Sequence, residues 1–241
     1  MFRIAVCDDE KFFISELTGI LEEYLKSRGI AHEMEVFDSG EKLIESGERI
    51  SRYNIIFLDI SMKDMDGMAA ARKVREISKD VYIVFVTAFA NFMADGYKVD
   101  AVRYILKNAG SLTEAVHECM DAIQEKMNYR VIWKGFHFIE GYRRLSLDRL
   151  LYIESRSHKL EFYVLEDELV KYTLYQTLNT LENEISEYDF LRIHQSYLVN
   201  MRYIRNLKRY CVLLHNGREL EIPKARYKYV EEAFISYRGE M

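Results

Sequence analysis

Hydrophobic positions in the first half of the chain follow two alternating periods. The short apolar runs Ile4-Ala5-Val6-Cys7, Ile55-Ile56-Phe57-Leu58, Val81-Tyr82-Ile83-Val84-Phe85-Val86 and Ala101-Val102-Arg103-Tyr104-Ile105-Leu106 all have strand length. Runs that stay apolar on both faces predict buried strands of a parallel sheet. Between them apolar residues recur at helical spacing, as in Phe13, Leu17, Ile20, Leu21, Tyr24 and Leu25. A second such face, over residues 111–127, carries Leu112, Ala115, Val116, Cys119, Met120, Ile123 and Met127. Ser111 followed by Glu114 is a capping-box signature that sets where this helix starts. Strand and helix repeated five times predict right-handed crossovers and an α/β doubly wound, parallel five-stranded sheet over residues 1–126.

Near residue 128 the pattern changes to tyrosines and short alternating runs, at 149–154, 159–165, 168–174, 210–214 and 219–222. These predict antiparallel strands. Asn216-Gly217 between the last two is a type I′ hairpin signal. A helix with Leu174, Leu178, Leu181 and Ile185 on one face interrupts the strands. An amphipathic stretch from Tyr227 to Tyr237 closes this domain, its entry marked by Pro223, the single proline of the sequence. Residues 127–134 read as a short connection, and 135–241 as a β-rich, mainly antiparallel second domain.

The ends of the first four runs carry chemistry. Asp8-Asp9, Asp59, Thr87 and Lys107 follow them in turn. If the strands lie side by side, acids, hydroxyl and ammonium reach the carboxyl edge, where open α/β sheets bind ligands. Three carboxylates that close repel one another unless a hard divalent cation with oxygen ligands, such as Mg²⁺, joins them. Any one of the acids alone is equally well read as a strand or helix cap.

Residues 1–126 resemble the receiver domain of two-component response regulators. The resemblance rests on Val6-Cys7-Asp8-Asp9-Glu10, Phe57-Leu58-Asp59-Ile60-Ser61-Met62, Met65-Asp66-Gly67, Val86-Thr87-Ala88 and Tyr104-Ile105-Leu106-Lys107, in that order. It implies that a partner sensor histidine kinase phosphorylates Asp59. It also implies that Asp8, Asp9, Asp59 and the Ser61 backbone carbonyl hold Mg²⁺, and that Thr87 and Lys107 engage the phosphoryl oxygens. An aspartate can attack phosphorus to give an acyl phosphate, and the transfer is chiefly positioning and charge neutralisation. The added charge would draw Thr87 and bias a two-state surface. Thr87 and Tyr104 are the implied switch pair, although Tyr104 is equally well read as a strand tyrosine packed at the sheet edge. Two positions depart from the family. Asn108 replaces the usual proline after the lysine, and Lys63 replaces a frequent proline four residues beyond Asp59. A non-proline cis bond costs ~3 kcal/mol, so the peptide after Lys107 is expected to be trans or the loop rearranged.

Composition narrows the classes. The 241 residues are 49% hydrophobic and 30% charged, a soluble globular balance with room for two domains. No apolar run reaches the ~18 residues a membrane helix needs. The first apolar run meets Asp8, Asp9 and Glu10 too early for a signal peptide. Cys7, Cys119 and Cys211 lack metal-ligand spacing and read as reduced core thiols, so a cytoplasmic protein is expected. The glycines form neither a GxGxxG nor a GxxxxGK[ST] loop, which argues against nucleotide hydrolysis. Residues 1–126 hold 16 Lys+Arg against 23 Asp+Glu, a net −7, whereas 127–241 carry a net +2. Nine basic residues against Glu219 and Glu221 give the segment 192–228 a net +7. That density suits nucleic acid, and on charge alone a solvated hairpin face suits it too.

The second domain resembles the LytTR family of DNA-binding domains, through Leu151-Tyr152-Ile153-Glu154-Ser155, residues 190–200 (FLRIHQSYLVN) and Ile222-Pro223-Lys224-Ala225-Arg226. The resemblance implies a β-rich reader that presents loop residues to double-stranded DNA. Carried over by position, His158, Gln195 and Arg226 are candidates for base contact. Arginine can pair both acceptors of guanine, and an amide can pair adenine. Lys159, Arg202, Lys224 and Lys228 suit phosphates. Gln195 stands where the family leads one to expect asparagine, so the base preference does not transfer. His158 also reads as a plain loop residue, His194 and Tyr197 as core, and Asn200 as a turn former. The leading expectation is a phosphorylation-controlled transcriptional regulator that binds promoter DNA as a homodimer and is not a turnover enzyme. A receiver with a protein or RNA output is the alternative. An aspartate-nucleophile phosphatase is disfavoured because the position two residues after Asp59 is Ser61, not an acid.

Overall fold

A computed structural model describes residues 1–63, 65–89, 99–108 and 110–239. The chain divides into two compact units, Met1–Arg130 and Val131–Met241.

The first unit carries five parallel strands: β1 (Phe2–Cys7), β2 (His32–Phe37), β3 (Ile55–Leu58), β4 (Tyr82–Thr87) and β5 (Ala101–Leu106). Their order, β2-β1-β3-β4-β5, is that of a doubly wound sheet. β1, β3 and most of β4 are buried, because helices cover both faces of a central parallel strand. The described helices are α1 (Lys11–Ser27), α2 (Gly40–Glu45), α3 (Gly67–Ile77) and α4 (Leu112–Lys126). α1 buries Leu17, Leu21, Tyr24 and Leu25, four of the six residues in its predicted apolar face. α4 begins after Ser111, whose hydroxyl accepts the Glu114 N–H at 3.2 Å, as the capping signature requires. The helix expected between β4 and β5 falls within 90–98, outside the described residues.

Among the described residues of the second unit every strand pair is antiparallel. A five-stranded sheet runs β10-β9-β8-β12-β11, built from β8 (Leu150–Arg156), β9 (Lys159–Leu165), β10 (Leu169–Leu174), β11 (Phe190–His194) and β12 (Tyr197–Asn200). A three-stranded sheet joins β13 (Ile204–Lys208), β14 (Cys211–Leu214) and β15 (Glu219–Glu221), and a hairpin joins β6 (Trp133–Phe138) and β7 (Gly141–Ser146). α5 (Leu178–Glu184) and α6 (Lys224–Gly239) complete it. β6 starts at Trp133, two residues inside the stretch read as a connection. Inward Phe136 and Phe138 of β6 stack edge-on to Phe162, which explains why a strand with a polar outer face is held there.

The hairpin signal at Asn216-Gly217 needs correction. Only Gly217 has positive φ (82°), and the Leu214 N–H donates to the Arg218 carbonyl, closing a three-residue loop. Glycine supplies the left-handed position that this longer turn needs. The two-residue turn with positive φ at both central positions lies at Ser157 (48°) and His158 (65°), between paired Arg156 and Lys159.

Candidate functional site

Parallel register carries the strand ends of the first unit to one edge. Cys7 pairs with Leu58, Leu58 with Phe85, and Thr87 with Leu106. Asp8, Asp59, Thr87 and Lys107 therefore follow or end adjacent strands, and all four are buried. Lys107 Nζ stands 2.7 Å from Asp8 Oδ2, 2.9 Å from Asp59 Oδ2 and 3.9 Å from Glu10 Oε1. The Phe13 ring lies on another side of the ammonium, its centroid 4.1 Å away, a cation–π contact. Burial alone would lower the Lys107 pKa, but hydrogen bonds to Asp8 and Asp59 outweigh it and raise the value. Burial, reinforced by the charge of Asp59, raises that of Asp8 against the pull of Lys107.

The backbone secures the carboxylates. Asp8 Oδ1 accepts the Glu10 N–H at 2.9 Å, and Asp59 Oδ1 accepts the Ser61 N–H at 3.2 Å. Asp66 caps α3 by accepting the Ala69 N–H at 2.6 Å, and the Gly67 N–H donates to the Ile60 carbonyl. Gly67 thereby comes so close to Asp59 that a Cβ there would lie 1.9 Å from its carbonyl oxygen.

Asp8, Glu10 and Asp59 offer carboxylate oxygens within 4.8 Å of one another. Three hard oxygen donors fit Mg²⁺. Asp9 is half-buried and stands outside that trio, and exposed Glu10 joins it instead. Glu10 follows the acidic pair directly, and that adjacency was its sequence signal. Phe13 gave only a helix-face signal, since its contact with Lys107 joins positions far apart in the chain. The Lys107–Asn108 peptide is trans. Tyr104 sits half-buried in β5 with its ring 6.1 Å from Phe85, and its hydroxyl donates to the Phe89 carbonyl.

In the second unit, exposed His158 sits at the β8–β9 turn. Lys159 Nζ lies 5.0 Å from the Tyr175 ring centroid. Gln195 is exposed in the β11–β12 turn, and half-buried Arg226, in the first turn of α6, stands over Tyr229. Lys224 and Lys228 are exposed, the latter 3.7 Å from Glu232. Arg202 has other commitments. Its guanidinium pairs with Asp148 and, at 2.8 Å, with Asp189, so internal carboxylates engage the group expected at phosphate. Asn200 makes the expected turn bonds, donating to the Leu147 and Leu150 carbonyls and accepting the Arg202 N–H. His194 Nδ1 accepts the Ser196 N–H, and the Tyr197 hydroxyl donates to Glu154.

Residues 4–117 match the response regulator receiver domain family, and 140–235 the LytTr DNA-binding domain family. The chain is 25% identical to the transcriptional regulatory protein LytR of Staphylococcus aureus (strain bovine RF122 / ET3-1), over 94% of this chain and 96% of that one. It is 23% identical to the sensory transduction protein LytT of Bacillus cereus, over 96% and 98%. The response regulatory domain of protein mrkE from Klebsiella pneumoniae is a solved structure with 20% identity. It covers 54% of this chain and all of its own, at a TM-score of 0.45. Among the described residues, no helix is long and apolar enough to cross a membrane.

Proposed function

We propose that this chain, which belongs to the response regulators joining a receiver to a LytTR DNA-binding domain, accepts a phosphoryl group on Asp59 from a sensor histidine kinase. The charge change then controls its grip on promoter DNA. The observation that carries this reading is the buried Lys107 ammonium within 3 Å of both Asp8 and Asp59 at the carboxyl edge of the sheet. An ammonium already beside the nucleophile can neutralise the incoming phosphoryl oxygens. Mg²⁺, held by Asp8, Asp9 or Glu10, Asp59 and the Ser61 carbonyl, would supply further charge neutralisation. Thr87, buried at the end of β4, is the hydroxyl within the same edge, and Tyr104 is its proposed switch partner. The protein acts in the cytoplasm and pairs as a homodimer on DNA.

His158, Gln195 and Arg226 are the proposed base contacts, with Lys159, Lys224 and Lys228 on phosphates. Arg202, half-buried and already paired with Asp148 and Asp189, is the fourth proposed phosphate contact and would have to loosen those pairs to make it.

The test is incubation of the full chain with a small-molecule phosphodonor and Mg²⁺, beside Asp59→Asn, followed by intact-mass measurement and binding to genomic DNA fragments. One phosphoryl group per wild-type chain, none on the variant, and tighter selective binding after labelling are expected. Labelling of Asp59→Asn at the wild-type level would refute the assignment. Arg226→Ala should cost ~1–3 kcal/mol on a selected site and much less on random DNA, so equal losses on both would remove it as a base contact.

A further inference from the structure

We infer that Arg192 is the positioning residue of the DNA-reading turn, holding Gln195 outward by binding the carbonyls of that turn from within. The inference rests on the proposed contact between Gln195 and a base edge. On charge alone Arg192 belongs to the basic segment and is a candidate for phosphate. The structure removes it from solvent, at 8% exposure.

Its guanidinium is spent inside the fold. Nε donates to the His194 carbonyl at 2.6 Å, and one terminal nitrogen donates to the Gln195 carbonyl. The other donates to Glu182 Oε2 at 2.9 Å and to Asn179 Oδ1 at 3.3 Å, both on α5. A planar fork can engage two consecutive carbonyls and a carboxylate in one plane, a geometry that an ammonium cannot copy. With both carbonyls turned inward, the Gln195 side chain remains exposed at the tip. The Ser196 N–H is also committed, to His194 Nδ1 at 3.1 Å. The turn thus enters any encounter already ordered, which spares the cost of ordering it on binding.

A cycle of full-chain variants tests this: Gln195→Ala, Arg192→Lys, their combination and Glu182→Gln, each measured on a selected DNA site and on random DNA. Thermal unfolding runs alongside. Glu182→Gln weakens the ion pair but leaves the two carbonyl bonds, so it separates general stability from positioning. Gln195→Ala should lower the specific-to-random affinity ratio about tenfold. Arg192→Lys should lower it by a similar factor, and the double variant no further, because the loss acts through Gln195. Glu182→Gln should lower the melting temperature with the ratio within twofold of wild type. A normal ratio for Arg192→Lys beside a lowered one for Gln195→Ala would overturn the inference while leaving the base contact standing. Losses that multiply in the double variant would overturn it as well. A normal ratio for Gln195→Ala would overturn the base contact itself, and with it this role.

Discussion

Replacing Gly67 by alanine should damage the receiver far more than a methyl group ordinarily does. The new Cβ would meet three backbone atoms: the Asp59 carbonyl oxygen at 1.9 Å, and the Asp59 carbonyl carbon and Ile60 Cα at 2.8 Å each. Real Cβ contacts stay beyond 3.0 Å, so α3 and the end of β3 must separate by about 1 Å or more. Neither side is a flexible side-chain end. The Gly67 N–H is bonded to the Ile60 carbonyl at 2.9 Å, and Asp66 caps the same turn. Overpacking costs of this kind run ~1–3 kcal/mol, and rigid backbone on both sides places this one near ~3 kcal/mol, well above the ~1 kcal/mol that alanine gains over glycine in a helix. Gly19, on the exposed face of α1, supplies the opposite control, because nothing lies within 4 Å of a Cβ there. Gly19→Ala should therefore stabilise by ~0.5–1 kcal/mol. Scanning calorimetry of the full chain resolves the test if the two units melt separately, and denaturant unfolding of both variants cross-checks it. The Asp59 labelling rate should fall in Gly67→Ala and stay normal in Gly19→Ala. A Gly67→Ala protein within 0.5 kcal/mol of wild type and labelled at the normal rate would refute the reasoning.

Three further outcomes follow from charge and burial. Lys107→Met leaves Asp8 and Asp59 buried without their cation, a change that typically costs ~3–5 kcal/mol; Mg²⁺ should raise the variant's melting temperature more than the wild type's, and an equal Mg²⁺ shift in both would contradict the shared-carboxylate geometry. Tyr152 is fully buried and its hydroxyl has no hydrogen-bond partner among the described residues, so Tyr152→Phe should be neutral or stabilise by up to ~1 kcal/mol. Burial pushes the Tyr152 pKa well up, and the neighbouring Tyr163, half-buried and bonded to Glu161, rises to about 12. Groups with raised native pKa contribute stability that is intact below pH ~10 and lost as pH climbs through the folded values. Wild-type unfolding free energy should thus fall above pH ~10, and less steeply in Tyr152→Phe; parallel alkaline slopes would count against this account.

Strand periodicity and strand-end chemistry were legible from the residues alone in the first unit. Apolar runs buried on both faces have few alternatives to a parallel sheet, and in-register strands bring Asp8, Asp59, Thr87 and Lys107 to one edge wherever the chain goes next. Local codes such as Ser111 with Glu114 also held, because they act within one helical turn. The second unit yielded less. Trp133–Ser146 was not read as a hairpin, since its outer face is polar and its inward phenylalanines have meaning only beside Phe162. The turn at Asn216-Gly217 took a three-residue form, while Ser157-His158 took the form expected of Asn-Gly; pairing register between strands, not the dipeptide, decided both. Tertiary structure assigned the partners: Phe13 against Lys107, Glu10 beside Asp59 in the acidic trio, Arg202 between Asp148 and Asp189, and Arg192 bound to Glu182 beneath the Gln195 turn. A basic residue's sequence context gives its charge, but whether that charge faces solvent or an internal carboxylate depends on which elements fold over it.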